Sequence, residues 1–187
     1  MIRESIYASM VIILIVSPLL GQIKATTSNN EMKSTLSVCE ALSELKELSG
    51  RTVKIRGEWR SDDHGVWLAA SEKCSKNVVV DGYEWSNSFH LIEDKASNLD
   101  FLSLAKFEIA LDQNRGKRSK EQVFFEDQIL VEVVGILQST LPLIVVRLPG
   151  KLMPGNGYGH LNFHPAQISL QAIQLIRVGP RSKLGNN

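Results

Sequence analysis

From Ser37 to Arg60 the chain reads SVCEALSELKELSGRTVKIRGEWR, and this junction of a capped helix with an alternating strand constrains the fold more than any other stretch. Ser37 followed by Glu40 is a capping box, in which hydroxyl and carboxylate satisfy each other's orphaned backbone N–H groups. Val38, Ala41, Leu42, Leu45 and Leu48 then fall at helical spacing, and Gly50 is placed to end the helix. From Thr52 the period becomes two, with Val53, Ile55, Gly57 and Trp59 on one face and Lys54, Arg56, Glu58 and Arg60 on the other. A glycine in mid-strand is costly unless the strand must bend there, as it must when a sheet curls into a barrel.

The same grammar returns in Gln128 to Gln138, where Val131, Val133, Gly135 and Leu137 repeat the spacing of Val53, Ile55, Gly57 and Trp59. Between these two strands, Ser61 to Gly65 is turn chemistry and Val66 to Ala70 returns as a second strand. Asn77 to Val80, closed by Asp81-Gly82, reads as the third strand. Tyr83 to Ser97 has no sustained period, which leaves Trp85, Phe89 and His90 without a predicted element. A helix is expected over Asn98 to Gln113, ending before Asn114 and Gly116. Leu141 to Gly159, rich in Gly and Pro, reads as an elaborated irregular loop, and Gln167 to Val178 as a last strand whose phase slips near Ile173.

A capping helix, three strands, a helix and two strands is the order of an OB-fold, so the expected class is mainly β: an OB-fold-like five-stranded Greek-key barrel with an N-terminal capping helix and a helix between strands three and four. The segments LSGRTVKIRGEW and VEVVGIL resemble the first and fourth strands of OB domains of the tRNA-anticodon-binding-like kind. Val38-Cys39-Glu40, Gly50 with Val53 to Gly57, Trp67, Cys74, Asp81-Gly82-Tyr83 with Trp85, Val133 to Leu137, and Gly157 to Leu161 with Pro165-Ala166-Gln167 resemble a group of small secreted bacterial proteins of unknown function. The resemblance spans nearly the whole chain after the leader and implies a fold, not an activity. The charged stretch Asn114 to Asp127 and the aliphatic run Leu143 to Leu148 depart from it.

Arg3 followed by the apolar run Ile6 to Leu20 has the architecture of a signal peptide. The expected organisation is a leader over residues 1–25, a flexible linker over 26–35, one domain over 36–179 and a disordered tail over 180–187. A retained membrane anchor is the rival reading, but the run is short against the roughly 20 residues that span a bilayer, so no transmembrane segment is expected once the leader is removed. The expected location is outside the cytoplasm, periplasmic or secreted. Two cysteines in such a chain argue for a disulfide between Cys39 and Cys74, with two buried free thiols as the alternative. Without residues 1–25 the acidic and basic residues balance, which removes the bulk positive field on which nonspecific nucleic-acid binding depends and disfavours that partner.

Candidate chemistry is sparse. His160 and His164 have the spacing of two metal ligands on a helix, but Gly159 and Pro165 oppose a helix there, and neither a metal nor a cofactor is expected. Arg115, Lys117, Arg118 and Lys120 form a basic cluster without an interleaved aromatic residue, flanked by Glu121, Glu126 and Asp127, and read as a solvated loop. Ser61, Asp62, Asp63 and His64 offer nucleophile, acid and base in one loop, without the context of a catalytic elbow. A ligand face is expected to draw on Arg56, Arg60, Trp67, Tyr158 and His160. The function expected is therefore an exported, non-enzymatic domain that binds a protein partner or small ligand. The alternatives are a secreted nuclease-like hydrolase using Asp62 to His64 with Arg56, and an envelope protein whose role is contact alone.

Overall fold

The structure, a computed structural model, describes residues 34–94, 98–116 and 127–180. The predicted leader, most of the linker, the tail beyond Pro180, and Lys117, Arg118, Lys120, Glu121 and Glu126 of the charged stretch lie outside the described residues, while Pro180, expected to open the disordered tail, pairs with Asp127 at the end of the last strand. Those described fall within one compact unit, Glu31–Asn187. Its centre is a closed barrel of five strands: β1 (Thr52–Asp62), β2 (Gly65–Ala69), β3 (Ser88–Ile92), β4 (Asp127–Ser139) and β5 (Ala166–Pro180). Neighbours run in the order β1-β2-β3-β5-β4, and β4 pairs back onto β1 to close the ring. The β3–β5 pair is parallel and the other barrel pairs are antiparallel, which is the mixed Greek-key barrel expected of the sequence.

β1 carries the closure. It pairs with β4 from Thr52 to Trp59 and with β2 from Glu58 to Asp62, so it must coil from one neighbour to the other about Gly57. A Cβ on Gly57 would lie 2.7 Å from the Ala69 carbonyl oxygen and 2.8 Å from side-chain atoms of Leu68 and Val38. Gly135 is tighter still, 2.4 Å from the Ser169 carbonyl, beside the β-bulge where the β4–β5 register slips between Leu170 and Ala172. Both glycines therefore mark places where strands approach too closely for a side chain. The inward faces meet in a core built from Val53, Ile55, Leu68, Phe89, Val133 and Ile168, with others.

The capping helix is broken in two, α1 (Val38–Ser43) and α2 (Leu45–Leu48). The capping box at Ser37 and Glu40 is present, but the Ser43 hydroxyl donates to the Glu40 carbonyl and Glu44 leaves helical geometry, so one continuous helix does not form. Val38, Ala41, Leu42, Leu45 and Leu48 are still all buried against the barrel. A disulfide joins Cys39 to Cys74, tying α1 to the loop after β2. Upstream, Leu36–Ser37 adds a short parallel pairing to β1, and Thr35 donates to the Glu132 carboxylate on β4.

Three expectations need correction. The third barrel strand is Ser88–Ile92, not Asn77–Val80; of the latter, Val79–Val80 only forms a small hairpin with Tyr83–Glu84 that stands off the barrel. Leu141 to Gly159 contains regular structure, a hairpin pairing Val145–Leu148 with Lys151–Pro154 across Pro149-Gly150, with Gly150 at φ 77°. Asn156 fastens its base, accepting from the Ile144 amide at 2.7 Å and donating to the Thr140 and Pro142 carbonyls. The helix between β3 and β4, α3 (Phe101–Arg115), starts later than expected because Asp100 caps it through the amides of Leu102 and Ser103. It turns Phe107 and Leu111 inward while Phe101 and Leu102 stay exposed, and Phe107 meets Trp59 at a ring separation of 5.1 Å. Among the described residues no helix is long and apolar enough to cross a membrane.

Candidate functional site

Side chains directly opposite on paired strands share a face of the sheet. Arg60 on β1 pairs with Trp67 on β2, Trp67 with His90 on β3, His90 with Gln167 on β5, and Gln167 with Gln138 on β4. One transverse row on the outer wall is thus Arg60, Trp67, His90, Gln167 and Gln138, because their neighbours Leu68, Phe89 and Ile168 point into the core. Gln167 donates to Gln138 at 2.6 Å, which fixes that end of the row.

Two loops close over the middle of the row. The β1–β2 turn carries His64, with the Asp62 carboxylate accepting from the His64 backbone N–H at 2.7 Å. The β4–β5 loop doubles back on itself, the amides and carbonyls of Tyr158 and His164 exchanging hydrogen bonds of 2.9 and 3.2 Å. A 3₁₀ turn at His160–Asn162 fills the bend between them, with Gly159, Leu161 and Asn162 all at positive φ. His160 thereby stacks on His64, ring centroids 4.2 Å apart and 14° from parallel. His164 lies 5.8 Å from His90 and 6.1 Å from Trp67 by the same measure. The four histidines of the chain thus form two pairs, His64 with His160 and His90 with His164, drawn from the turn, β3 and both ends of the doubled loop, with Gly65 and Gly159 beside the His90 ring.

Gly159 is required twice over: its φ of 72° disfavours other residues, and a Cβ would stand 2.7 Å from His164 Cδ2 and 3.1 Å from His90 Cδ2. The His164 ring is set by hydroxyls. Ser86 Oγ donates to the Phe163 carbonyl at 2.8 Å and Ser88 Oγ donates to Ser86 Oγ at 2.9 Å. Ser88 Oγ, its proton so used, accepts from His164 Nδ1 at 2.8 Å. With the Ser88 proton so used, the proton of the neutral ring sits on Nδ1 and Nε2 is its acceptor nitrogen.

Burial, reinforced by the neighbouring His90 ring, lowers the His164 pKa to about 4 against the opposing effect of a hydrogen bond to the Ser88 backbone. Burial also lowers His90, with Gln167 acting in the other direction, and His90 Nδ1 is buried without a hydrogen bond. Both rings are therefore neutral at pH 7. Tyr158 is half-buried and burial raises its phenol pKa, so it remains a protonated donor. A cavity of about 530 Å³ opens between the barrel and α3, and His90 lines it together with Trp59, Val66, Leu104 and Phe107.

Of the residues expected to form a ligand face, Trp67, His160 and the backbone of Tyr158 come together, and Arg60 stands at the end of the row. Arg60 is held by Glu58, Nε and Nη2 each 3.1 Å from a carboxylate oxygen. Arg56 belongs elsewhere, on the β1–β4 wall, where Glu132 binds Lys54 at 2.6 Å and Arg56 at 3.5 Å. Burial pushes the Glu132 pKa up, but Lys54, Thr35 and Arg56 outweigh it and hold the carboxylate ionised. At the rise of a strand, Arg56 is about 20 Å from Asp62, so the grouping of Asp62 to His64 with Arg56 is not assembled. Arg115 of the basic cluster pairs with Asp112 on α3.

His90, Ser86, Ser88, Gln167 and the partnership of His64 with His160 were not anticipated. The signal available was the alternation of Phe89 and Leu91 with Ser88 and His90, which marks a strand with a polar outer face. Among the described residues no three His, Cys, Asp or Glu side chains are arranged to hold one metal ion. No model of a known protein family matches the chain, and no curated protein matches it.

Proposed function

We propose that the protein is an exported, non-enzymatic OB-fold domain of the tRNA-anticodon-binding-like kind, related to the small secreted bacterial proteins its sequence resembles, and that it binds a ligand or protein partner on the outer face of β2 and β3. The observation that carries this reading is the grouping of Trp67 and His90 with His164 on that face, with the His64–His160 stack joining the β1–β2 and β4–β5 loops beside it. In OB-folds that face and those loops hold oligonucleotides and oligosaccharides. Trp67 offers a half-exposed ring, Gln167, Tyr158 and His164 Nε2 offer neutral donors and acceptors, and Arg60 is already engaged by Glu58. This chemistry suits an uncharged polar ligand with a flat face better than a polyanion.

Glycan and peptide arrays probed with the wild-type chain and with Trp67→Ala test the reading. A ligand retained by the wild type and weakened at least about tenfold in Trp67→Ala, roughly the value of one stacked ring, is the expected result. Metal-dependent cleavage of nucleic acid that disappears in Asp62→Asn or His64→Ala would replace it with the hydrolase reading.

A further inference from the structure

The alternation that points Val53, Ile55, Leu68, Phe89 and Ile168 into the core also points Trp59, Val66, Leu91 and Leu170 inward, one layer nearer the end of the barrel that α3 covers. Leu104, Phe107 and Leu111 of α3 face this layer. The two surfaces do not close on each other. The cavity of about 530 Å³ between them has Leu91, Phe107 and Leu170 buried in its wall but leaves Trp59, Val66 and Leu104 only half-buried. Protein interiors are close-packed with few voids larger than a water molecule, and this volume falls within the range of about 300–1,000 Å³ typical of small-molecule sites. The cavity is separate from the binding face on β2 and β3, touching that outer row only at His90.

The polar groups of the wall gather at its lip. Ser61 and Glu93 lie two residues beyond Trp59 and Leu91, and Glu108 follows Phe107 on α3. Among the described residues the wall contains no Lys or Arg, and the turn that joins Ser61 to Gly65 adds Asp62 and Asp63 near the same lip. The cations of α3 are directed elsewhere. Lys106 is exposed and, two residues from both Leu104 and Glu108, falls on the far side of the helix, while Arg115 pairs with Asp112. Inside, Trp59 and Phe107, with ring centroids 5.1 Å apart, supply aromatic surface, which favours a cation over an anion. We infer that this cavity is a site for an amphiphilic organic cation, an amine or quaternary ammonium whose hydrocarbon body lies among Trp59, Leu104 and Leu170 and whose charged nitrogen rests at Glu93.

Calorimetric titration of the chain from Thr26 tests this, since that chain keeps every described residue and lacks the Ile6 to Leu20 run, which would itself take up hydrocarbon. The probes are octylammonium, 1-octanol and octanoate, which share a chain and differ in charge, each below its micelle concentration. Octylammonium is expected to bind at one site per chain, at least about tenfold more tightly than octanol, with octanoate weaker than both. Glu93→Gln is expected to erase the advantage of octylammonium while octanol binding stays as it was, and Leu104→Trp, which fills the cavity, to abolish binding of both. Trp67→Ala, on the outer face, is expected to change none of them, which separates this site from the one proposed on β2 and β3. An unchanged or raised thermal midpoint establishes that the variants are folded. No heat of binding from octylammonium, a preference for octanoate, an ammonium advantage that survives Glu93→Gln, binding that survives Leu104→Trp, or binding that Trp67→Ala weakens overturns the inference.

Discussion

Ser88 holds the His164 ring by accepting from Nδ1, and the ring's burial makes its protonation a stability question. In the unfolded chain this imidazole titrates near 6.5, and in the folded chain at about 4. Between those values the unfolded chain holds a proton that the folded chain does not, so stability is complete above 6.5 and falls as pH drops toward 4. His90 adds in the same direction. Allowing for the partial exposure of the His164 ring, urea unfolding at pH 4.5 should show a loss of about 1–2 kcal/mol relative to pH 7 from this ring. A His164→Asn chain should lose that part of the pH dependence. Gly135 makes a second prediction at this scale. A Cβ 2.4 Å from the Ser169 carbonyl must push strands apart, so Gly135→Ala should cost about 2–4 kcal/mol in the same measurement.

At the scale of elements, α1 is held to the barrel by apolar burial and by the Cys39–Cys74 bond, which closes a loop of 35 residues. Constraint of the unfolded chain by a loop of that size is worth about 4 kcal/mol, so Cys39→Ser/Cys74→Ser should lower unfolding stability by roughly that amount. β1 and β4 were legible because Val53 to Trp59 and Val131 to Leu137 alternate over many residues with a glycine at matching points. β3 was not, because it has five residues and its outer positions, Ser88 and His90, serve the site and weaken the apolar period. Asn77 to Val80 imitated a strand through β-branched composition, yet only Val79–Val80 pairs. The Val145–Leu148/Lys151–Pro154 hairpin was hidden by prolines, which here sit at its turn and at the end of its second strand, where no ladder hydrogen bond is forfeited.

For the molecule as a whole, closure of β4 onto β1 brings together residues far apart in sequence. Trp67 and His90 share a row only because β2 pairs with β3, and His164 reaches them only because the β4–β5 loop folds back through Gly159. That is why Trp67, Tyr158 and His160 could be singled out from residue type, whereas the two histidine pairs could not: their members lie between positions 64 and 164, and local spacing, the basis on which His160 and His164 were set aside as metal ligands, carries no information about them. The measurement that tests the proposed site most directly is nuclear magnetic resonance mapping on the ¹⁵N-labelled chain, with an array-selected glycan or peptide as titrant. The shifts should concentrate in the imidazoles of His64, His90, His160 and His164, the Trp67 indole and the amides of the two overlying loops. Shifts confined to another surface, such as the Lys54, Arg56 and Glu132 wall, with the imidazoles unmoved, would contradict it.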